Sequence, residues 1–185
     1  MEYHFAELGD VRLHYVEEGE GPLVVLLHGF PEFWYGWRFQ IPALAEAGFR
    51  VVAPDMRGYN LSSKPEGVKA YDLDVLAQDV HDLIRERGAE RAFVAGHDWG
   101  AAVASWVAMK HPEVVDRLAI LNVPHPRRML HGLRTPRQLA RSWYMGDNIP
   151  GKPRVILSYL GGFNAYRSRL EASEDNDYEG FRLNS

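Results

Sequence analysis

Short apolar runs recur along the first two thirds of the chain. The uninterrupted run at residues 23–27 predicts a strand that is covered on both faces. Similar short runs predict further strands at residues 49–53, 91–95 and 117–123. Residues 11–16 largely alternate apolar and polar side chains instead, which is the period of a half-buried strand.

Predicted helices separate these strands. Residues 34–47 are expected to be mainly helical and to end before Gly48, because glycine is favoured just past a helix C-terminus. Apolar side chains recur at helical spacing in residues 73–84, and residues 99–110 are apolar on nearly every side, which predicts a buried helix. Strands that alternate with helices predict βαβ units and a parallel sheet, so the expected fold class is α/β.

Composition excludes several classes of protein. The 185 residues are 46% apolar and 25% charged, as in an ordinary globular domain, and contain no cysteine for disulfides or thiolate sites. A net charge of −4 provides no basic field for nucleic acid or acidic membranes. The first ten residues lack the apolar core of a signal peptide, and the longest apolar run is too short to span a bilayer. These features predict a soluble, cytoplasmic protein without nucleic-acid or membrane partners.

The strongest candidate chemistry lies at the pentapeptide Gly-His-Asp-Trp-Gly, residues 96–100. It follows a predicted strand and opens a predicted helix, which is where a nucleophile elbow lifts one side chain above a sheet. The central residue here is Asp98 instead of serine. An aspartate that caps the helix N-terminus is the alternative interpretation, and it explains Asp98 but neither flanking glycine.

A carboxylate nucleophile implies a particular reaction. Asp98 is ionised at neutral pH without a base, and the helix N-terminus behind it favours the anion. It can displace a leaving group at a saturated carbon and form an alkyl ester. Hydrolysis of that ester needs an activated water and donors for an oxyanion. The backbone N–H groups of Phe30 and Trp99 are the expected donors, with the turn at Phe30 fixed by Pro31.

Four motifs in order along the chain carry a family resemblance. They are His-Gly-Phe-Pro at 28–31, Arg-Gly-Tyr at 57–59 with Ser-Ser-Lys-Pro at 62–65, Gly-His-Asp-Trp-Gly at 96–100, and Asn-Val-Pro-His-Pro at 122–126. Over about residues 10–144 the sequence therefore resembles epoxide hydrolases of the α/β-hydrolase fold. The resemblance implies Asp98 as the nucleophile, the N–H groups of Phe30 and Trp99 as the oxyanion hole, and a small apolar epoxide as the substrate.

The resemblance also implies two tyrosines that protonate the epoxide oxygen. Ser-Trp-Tyr at residues 142–144 resembles the start of the family's cap and makes Tyr144 the first of them. Asn-Ala-Tyr-Arg at residues 164–167 is similar to the segment that holds the second, Tyr166. A tyrosine pair suits the chemistry, because opening the ring generates an alkoxide that must take up a proton.

Other residues near the motifs receive lesser roles. His28, Pro31, Trp34 and His97 are candidate substrate-binding residues. The two histidines are interpreted as loop or supporting residues, and Trp34 as core or pocket wall. No histidine cluster has metal-ligand spacing and no glycine-rich loop suits a phosphate, so neither a metal nor a cofactor is expected. The remaining surface histidines, including His81 and His111, are predicted to be solvated.

The sequence departs from the family beyond its middle. The family's general base is a histidine after the last strand, and this sequence has no histidine beyond His131. The expected organisation is a hydrolase core at residues 1–124, a reduced cap at 125–170 and a polar tail at 171–185, with the C-terminal strands missing. Ester hydrolysis is then expected to be impaired.

Three alternatives remain open. Haloalkane dehalogenases share the fold and the aspartate nucleophile, but many have asparagine where this chain has Phe30, and some have an acid where it has Asn122. A non-catalytic protein that binds a small apolar ligand would account for the missing base. A fragment that does not fold alone would show a broad or absent thermal transition.

Overall fold

The computed structural model describes residues 1–123. These residues belong to a compact unit, Met1–His125. The predicted cap at 125–170, the tail at 171–185, Tyr144 and Tyr166 lie outside the described residues. In the described part of the chain, no helix is long and apolar enough to cross a membrane.

Within residues 1–123, six strands form one mixed sheet. Its strands are β1 (Glu2–Leu8), β2 (Val11–Glu18), β3 (Leu23–Leu27), β4 (Arg50–Pro54), β5 (Ala92–His97) and β6 (Val115–Leu121). The spatial order is β1-β2-β4-β3-β5-β6. The four strands from β4 to β6 are parallel, whereas β1 and β2 are antiparallel to their neighbours. The predicted α/β class with a mostly parallel sheet is confirmed.

In the same described part of the chain, three α-helices flank the sheet: α1 (Gln40–Glu46), α2 (Leu73–Glu86) and α3 (Trp99–Lys110). One apolar core contains the buried side chains of α2 and α3, and a second contains Ile41 of α1 with Trp34 and Trp37. On α2 the buried apolar positions recur every three or four residues, as the sequence pattern predicts. The sheet is therefore covered on both faces, which accounts for the fully buried run of β3.

Residues 34–47, which were predicted to be mainly helical, are divided between two helical segments. The segment consists of a 3₁₀ turn, Trp34–Trp37, and the separate helix α1. A single helix would place Pro42 in its interior, where the missing N–H removes a hydrogen bond and the ring clashes with the preceding turn. In the structure α1 begins two residues before Pro42, so the proline lies in the first turn, where it is tolerated.

Strand β1 has no counterpart among the predicted elements. Leu8 pairs with Val11 in the antiparallel register, so Gly9 and Asp10 form a two-residue hairpin loop, and Gly9 has φ of 63°. A glycine-containing dipeptide between two strands is a recognised hairpin signal. The sequence shows no clear apolar and polar alternation for β1, because only Ala6 and Leu8 of this strand are buried.

The order of the strands creates a crevice at one edge of the sheet. From β3 the chain crosses to β4 on one side and then returns to place β5 on the other. The carboxyl ends of β3 and β5 therefore lie next to each other, with Leu27 paired to Gly96. Open α/β sheets bind ligands at such a point, where neighbouring connections leave in opposite directions. Residues 28–31 and Asp98 both follow strands that end there.

Candidate functional site

Asp98 occupies a sharp turn between β5 and α3. Its backbone has φ of 51° and ψ of −117°, a strained conformation for a residue with a side chain. The side chain makes no capping hydrogen bond to α3, which contradicts the interpretation of Asp98 as a helix cap. A strand, a strained residue and a helix in this order are the geometry of a nucleophile elbow.

The flanking glycines are required by close backbone packing. A Cβ on Gly96 would collide with the carbonyl group of Gly100, 2.5 Å from its carbon atom. A Cβ on Gly100 would collide with the carbonyl groups of Leu27 and His28, 2.5 Å from the oxygen of His28. The elbow can thus lie directly against the end of β3 only because both positions lack a side chain.

The loop after β3 approaches Asp98 through its main chain. The backbone N–H of Phe30 donates to Oδ1 of Asp98 over 3.2 Å. A Cβ on Gly29 would lie 2.9 Å from the Cβ of Asp98, so glycine allows this approach. Trp99 is the first residue of α3, and its N–H is one of the early helix amides that have no acceptor within the helix. The Phe30–Pro31 peptide bond is cis, and Pro31 is half-buried.

A polar network joins this loop to the elbow. The Glu32 carboxylate accepts the N–H of Gly29 at 3.3 Å and lies 3.5 Å from Nδ1 of His97. The side-chain amide of Asn122, at the end of β6, lies 2.9 Å from Nε2 of His97. Donation by this amide leaves the imidazole proton on Nδ1, towards Glu32. The network joins the carboxyl ends of β3, β5 and β6.

Sequence reasoning missed Glu32 and assigned Asn122 no contact. The position of Glu32, directly after the His-Gly-Phe-Pro motif, was the available signal. Asn122 has φ of 63° and follows a strand, which also places its side chain at the edge of the sheet used by the site.

His28 supports the loop from below. Its side chain is fully buried, and Nε2 accepts the backbone N–H of Met56 at 3.0 Å. Nδ1 lies 2.8 Å from the carbonyl oxygen of Gly29, which fixes the tautomer with the proton on Nδ1. Burial lowers the pKa of His28, although the hydrogen bond to Gly29 opposes the shift. His28 therefore links β3 to the chain after β4 as a neutral imidazole.

Asp55 organises the neighbouring loop and was not among the predicted residues. Its fully buried carboxylate accepts the N–H of Trp34 at 3.0 Å and the side-chain amide of Asn60 at 2.8 Å. Nδ1 of His14 lies 2.7 Å from the same group. Its position directly after a buried strand was a signal that could have identified it. Trp34 itself packs in the α1-side core, with 8% of its surface exposed.

The structure thus brings Phe30, His97 and Asp98 together, with Trp99 at the start of the following helix. His28 lies beneath the loop, and Trp34 lies in the core. Asp98 is only partly buried and so can be reached from solvent. A carboxylate beside a main-chain N–H at a strained turn can attack an electrophilic carbon, and the same N–H can then stabilise an oxyanion.

Known proteins are similar to this chain in sequence and in fold. The family described as the alpha/beta hydrolase fold matches residues 22–183. The chain is 46% identical over 157 residues to the AB hydrolase superfamily protein YfhM of Bacillus subtilis, covering 83% of this chain and 55% of that protein. It is 45% identical over 144 residues to epoxide hydrolase 1 of Caenorhabditis elegans, covering 76% of this chain and 35% of that protein.

A solved structure of an epoxide hydrolase is similar to this chain in fold. A crystal structure of a mutant epoxide hydrolase from Bacillus megaterium, in complex with its diol product, has a TM-score of 0.74 and 40% sequence identity. The match covers 77% of this chain and 50% of that one. The chain spans about half, or less, of the length of these relatives. The predicted resemblance to epoxide hydrolases is confirmed, and the match over residues 22–183 shows that the chain belongs to the α/β-hydrolase fold family.

Proposed function

We propose that this chain carries the nucleophile of an epoxide-opening hydrolase and that Asp98 is that nucleophile. The observation that carries the proposal is the strained backbone of Asp98 together with the Phe30 N–H at 3.2 Å from its carboxylate. Epoxide hydrolases among the relatives support the choice of substrate class. They also favour an epoxide over a haloalkane as the electrophile.

In the first step a carboxylate oxygen of Asp98 attacks one carbon of the epoxide ring. A new C–O ester bond forms, the ring C–O bond breaks, and its electron pair goes to the ring oxygen. The resulting alkoxide takes up a proton. The resemblance to epoxide hydrolases implies Tyr144 and Tyr166 as the proton donors. The product is a hydroxyalkyl ester of Asp98, and no external oxidant or cofactor is required.

In the second step water attacks the ester carbonyl carbon. The negative charge that develops on the carbonyl oxygen would be stabilised by the N–H groups of Phe30 and Trp99. Release of the diol needs a base to activate the water, and the sequence provides no histidine beyond His131 to match the family's base. We therefore expect the ester to form and to persist on the 185-residue chain.

The substrate that suits this chemistry is a small apolar epoxide. Ring opening needs an electrophilic carbon within reach of Asp98, and neither reacting partner needs a metal or a phosphate group. The expected cytoplasmic location and the expected lack of nucleic-acid partners stay predictions from composition.

Intact mass measurement tests the proposal directly. The purified chain is incubated with a reactive aryl epoxide and weighed, and the adduct is located by peptide mapping. We expect one added epoxide per chain on the peptide that contains Asp98. The Asp98→Asn variant should add none at this position, because an amide is a poor nucleophile. Asparagine is chosen because it tolerates positive φ better than alanine does.

Asp116→Asn is the matched control, since Asp116 is an exposed aspartate on β6. It should form the adduct as the wild type does. An unmodified wild-type chain with a cooperative thermal transition would refute the nucleophile assignment. Repeated turnover with diol release would instead refute only the persistence of the ester. Saturable binding of the epoxide without any adduct would favour the non-catalytic alternative.

A further inference from the structure

Two histidines and a glutamate converge on the side of the molecule where α2 meets the end of α3. His81 lies on α2, His111 directly follows α3, and Glu113 lies in the 3₁₀ turn Pro112–Val114. The centroids of the two imidazole rings are 4.8 Å apart. Oε1 of Glu113 lies 3.9 Å from Nε2 of His81 and 3.6 Å from Nδ1 of His111. The two rings therefore present one nitrogen each to the same carboxylate.

We propose that His81, His111 and Glu113 form a binding site for a divalent zinc-like cation. Two imidazoles and one carboxylate are a donor set that zinc sites use, with the fourth position left to water. The three potential ligand atoms all lie within 4.8 Å of one another, and within residues 1–123 no other group of histidine and acidic residues meets this condition. This inference is independent of the proposed epoxide chemistry.

The orientation of His81 supports the proposal. Its Nδ1 lies 2.8 Å from Oδ1 of Asp82, and the amide of Gln78 donates to the same carboxylate oxygen at 2.8 Å. In zinc sites a ligating histidine commonly donates its other ring N–H to a carboxylate, which fixes the tautomer and leaves the second nitrogen for the metal. Here that second nitrogen is Nε2, which faces Glu113.

The geometry requires only a small adjustment. Tetrahedral coordination at about 2.0–2.1 Å places neighbouring ligand atoms about 3.3 Å apart. The separations of 3.9 and 3.6 Å from Glu113 must therefore shorten by less than about 1 Å, and the widest separation, at most 4.8 Å, by about 1.5 Å. The Glu113 side chain can move, because 54% of its surface is exposed, and the histidines are 20–22% exposed. The bound ion would join α2 to the turn after α3.

The group of His81, His111 and Glu113 could not be recognised from the sequence. His81 and His111 are 30 positions apart, and the sequence shows no local metal-ligand spacing. Both were predicted to be solvated because they lie on the surface of predicted helices. Packing of α2 against α3 brings them together. The expectation that the chain has no metal site rested on spacing along the sequence alone.

Calorimetric titration of zinc chloride into the full chain, without a polyhistidine tag, tests the site. We expect one ion per chain in the wild type. His111→Ala and Glu113→Gln should each weaken the affinity tenfold or more, because each removes one of three protein ligands. Asp82→Asn should weaken it about 10-fold, the lower end of the range for residues that orient a ligand.

His4→Ala is the matched control. His4 also lies beside a carboxylate, 3.3 Å from Glu2, but it belongs to no group of three potential ligands among residues 1–123. It should bind zinc as the wild type does, and so should Asp98→Asn. The proposal is overturned by the absence of saturable binding to the wild type, or by unchanged affinity in Glu113→Gln. A loss of binding in Asp98→Asn would also overturn it, since the ion would then lie at the elbow. Glu113 is exposed, so its replacement leaves the fold intact.

Discussion

The backbone of Asp98 adopts a conformation that costs a residue with a side chain of the order of 1–3 kcal/mol. Contacts on both sides hold it in place. Helix α3, which follows Asp98, packs on the end of β3 at Gly100. The loop after β3 approaches Asp98 at Gly29. The position of a single carboxylate therefore depends on the absence of side chains at its neighbours.

Replacement of Gly100 by alanine tests this dependence. The added Cβ would collide with the carbonyl groups of Leu27 and His28, which are main-chain atoms that cannot rotate away. We expect a loss of about 1–3 kcal/mol in the free energy of unfolding, measured by urea denaturation. Gly36→Ala is the control, because its Cβ would meet only the Glu32 side chain, at 3.3 Å. Equal stability of the Gly100 variant and the wild type would contradict the packing argument.

His28 predicts how stability depends on pH. Burial lowers its pKa in the folded chain below the unfolded value of about 6.5. The unfolded chain therefore binds a proton that the folded chain does not, so the contribution of His28 is fully present above about pH 6.5 and is lost progressively as pH falls below it. His28→Gln should flatten the decline in unfolding free energy between pH 7 and pH 5, as measured by urea denaturation at a series of pH values. A slope identical in wild type and His28→Gln would exclude this role.

At the scale of elements, a buried ion pair fastens the loop after β4 to α2. The Nε–H group of Arg57 donates to Oδ2 of Asp79 at 2.5 Å, and an Nη2–H group donates to Oδ1 of the same carboxylate at 2.6 Å. An Nη1–H group donates to the carbonyl oxygen of Ala70. The hydrogen bond to Asp79 raises the pKa of Arg57, whereas burial raises the pKa of Asp79 against the effect of Arg57. The bidentate geometry indicates that both groups are charged.

Loss of one partner in this pair should be costly. Asp79→Ala leaves the buried guanidinium without its bidentate partner and with only the exposed carboxylate of Asp10, at 3.4 Å. We expect a loss of about 3–5 kcal/mol in the free energy of unfolding. The exposed pair of Glu7 and Arg12, at 3.1 Å, provides the comparison. Glu7→Ala should leave the urea midpoint nearly unchanged, because solvent screens exposed ion pairs. Similar urea midpoints for Asp79→Ala and the wild type would show that the ion pair of Arg57 and Asp79 does not contribute to stability.

At the scale of the whole molecule, β6 forms one end of the sheet in the described part of the chain. It pairs with β5 on one side, and most of its residues are exposed, including 41% of the surface of Leu118 and of Leu121. An exposed apolar edge strand is a template for pairing with another chain.

We expect the chain to associate as its concentration rises, and Leu118→Lys to suppress this association by placing a charge on the edge strand. Light scattering and sedimentation over a concentration series measure the effect. Leu61→Lys introduces the same charge at an exposed leucine in a loop, where 58% of the side-chain surface is accessible, and should not alter association. A monomeric wild type, or equal suppression by both variants, would contradict edge pairing.

The sequence predicted the elements with regular patterns and missed those that depend on distant contacts. The strands at residues 23–27 and 91–95 and the helix at 99–110 follow from local periodicity, and the structure shifts their ends by two residues or less. Strand β1 was missed because its burial depends on pairing with β2. The split of residues 34–47 follows from Pro42, a local signal that the helical pattern outweighed.

The candidate site divides in the same way. The motifs at residues 28–31 and 96–100 identified Asp98 and Phe30, because an elbow needs glycines at fixed positions around its nucleophile. Glu32, Asp55 and Asn122 became partners of other groups only after the strand order placed three loop segments at one edge of the sheet.

The amino-acid sequence by itself determined the α/β class, the position of the elbow and its similarity to epoxide hydrolases. These rest on periodicity and on short motifs, which are local along the chain. Only the tertiary structure decided that His97 lies between Glu32 and Asn122, and that His81 meets His111. Such contacts arise from sheet order and helix packing, which bring together residues that no spacing along the chain relates.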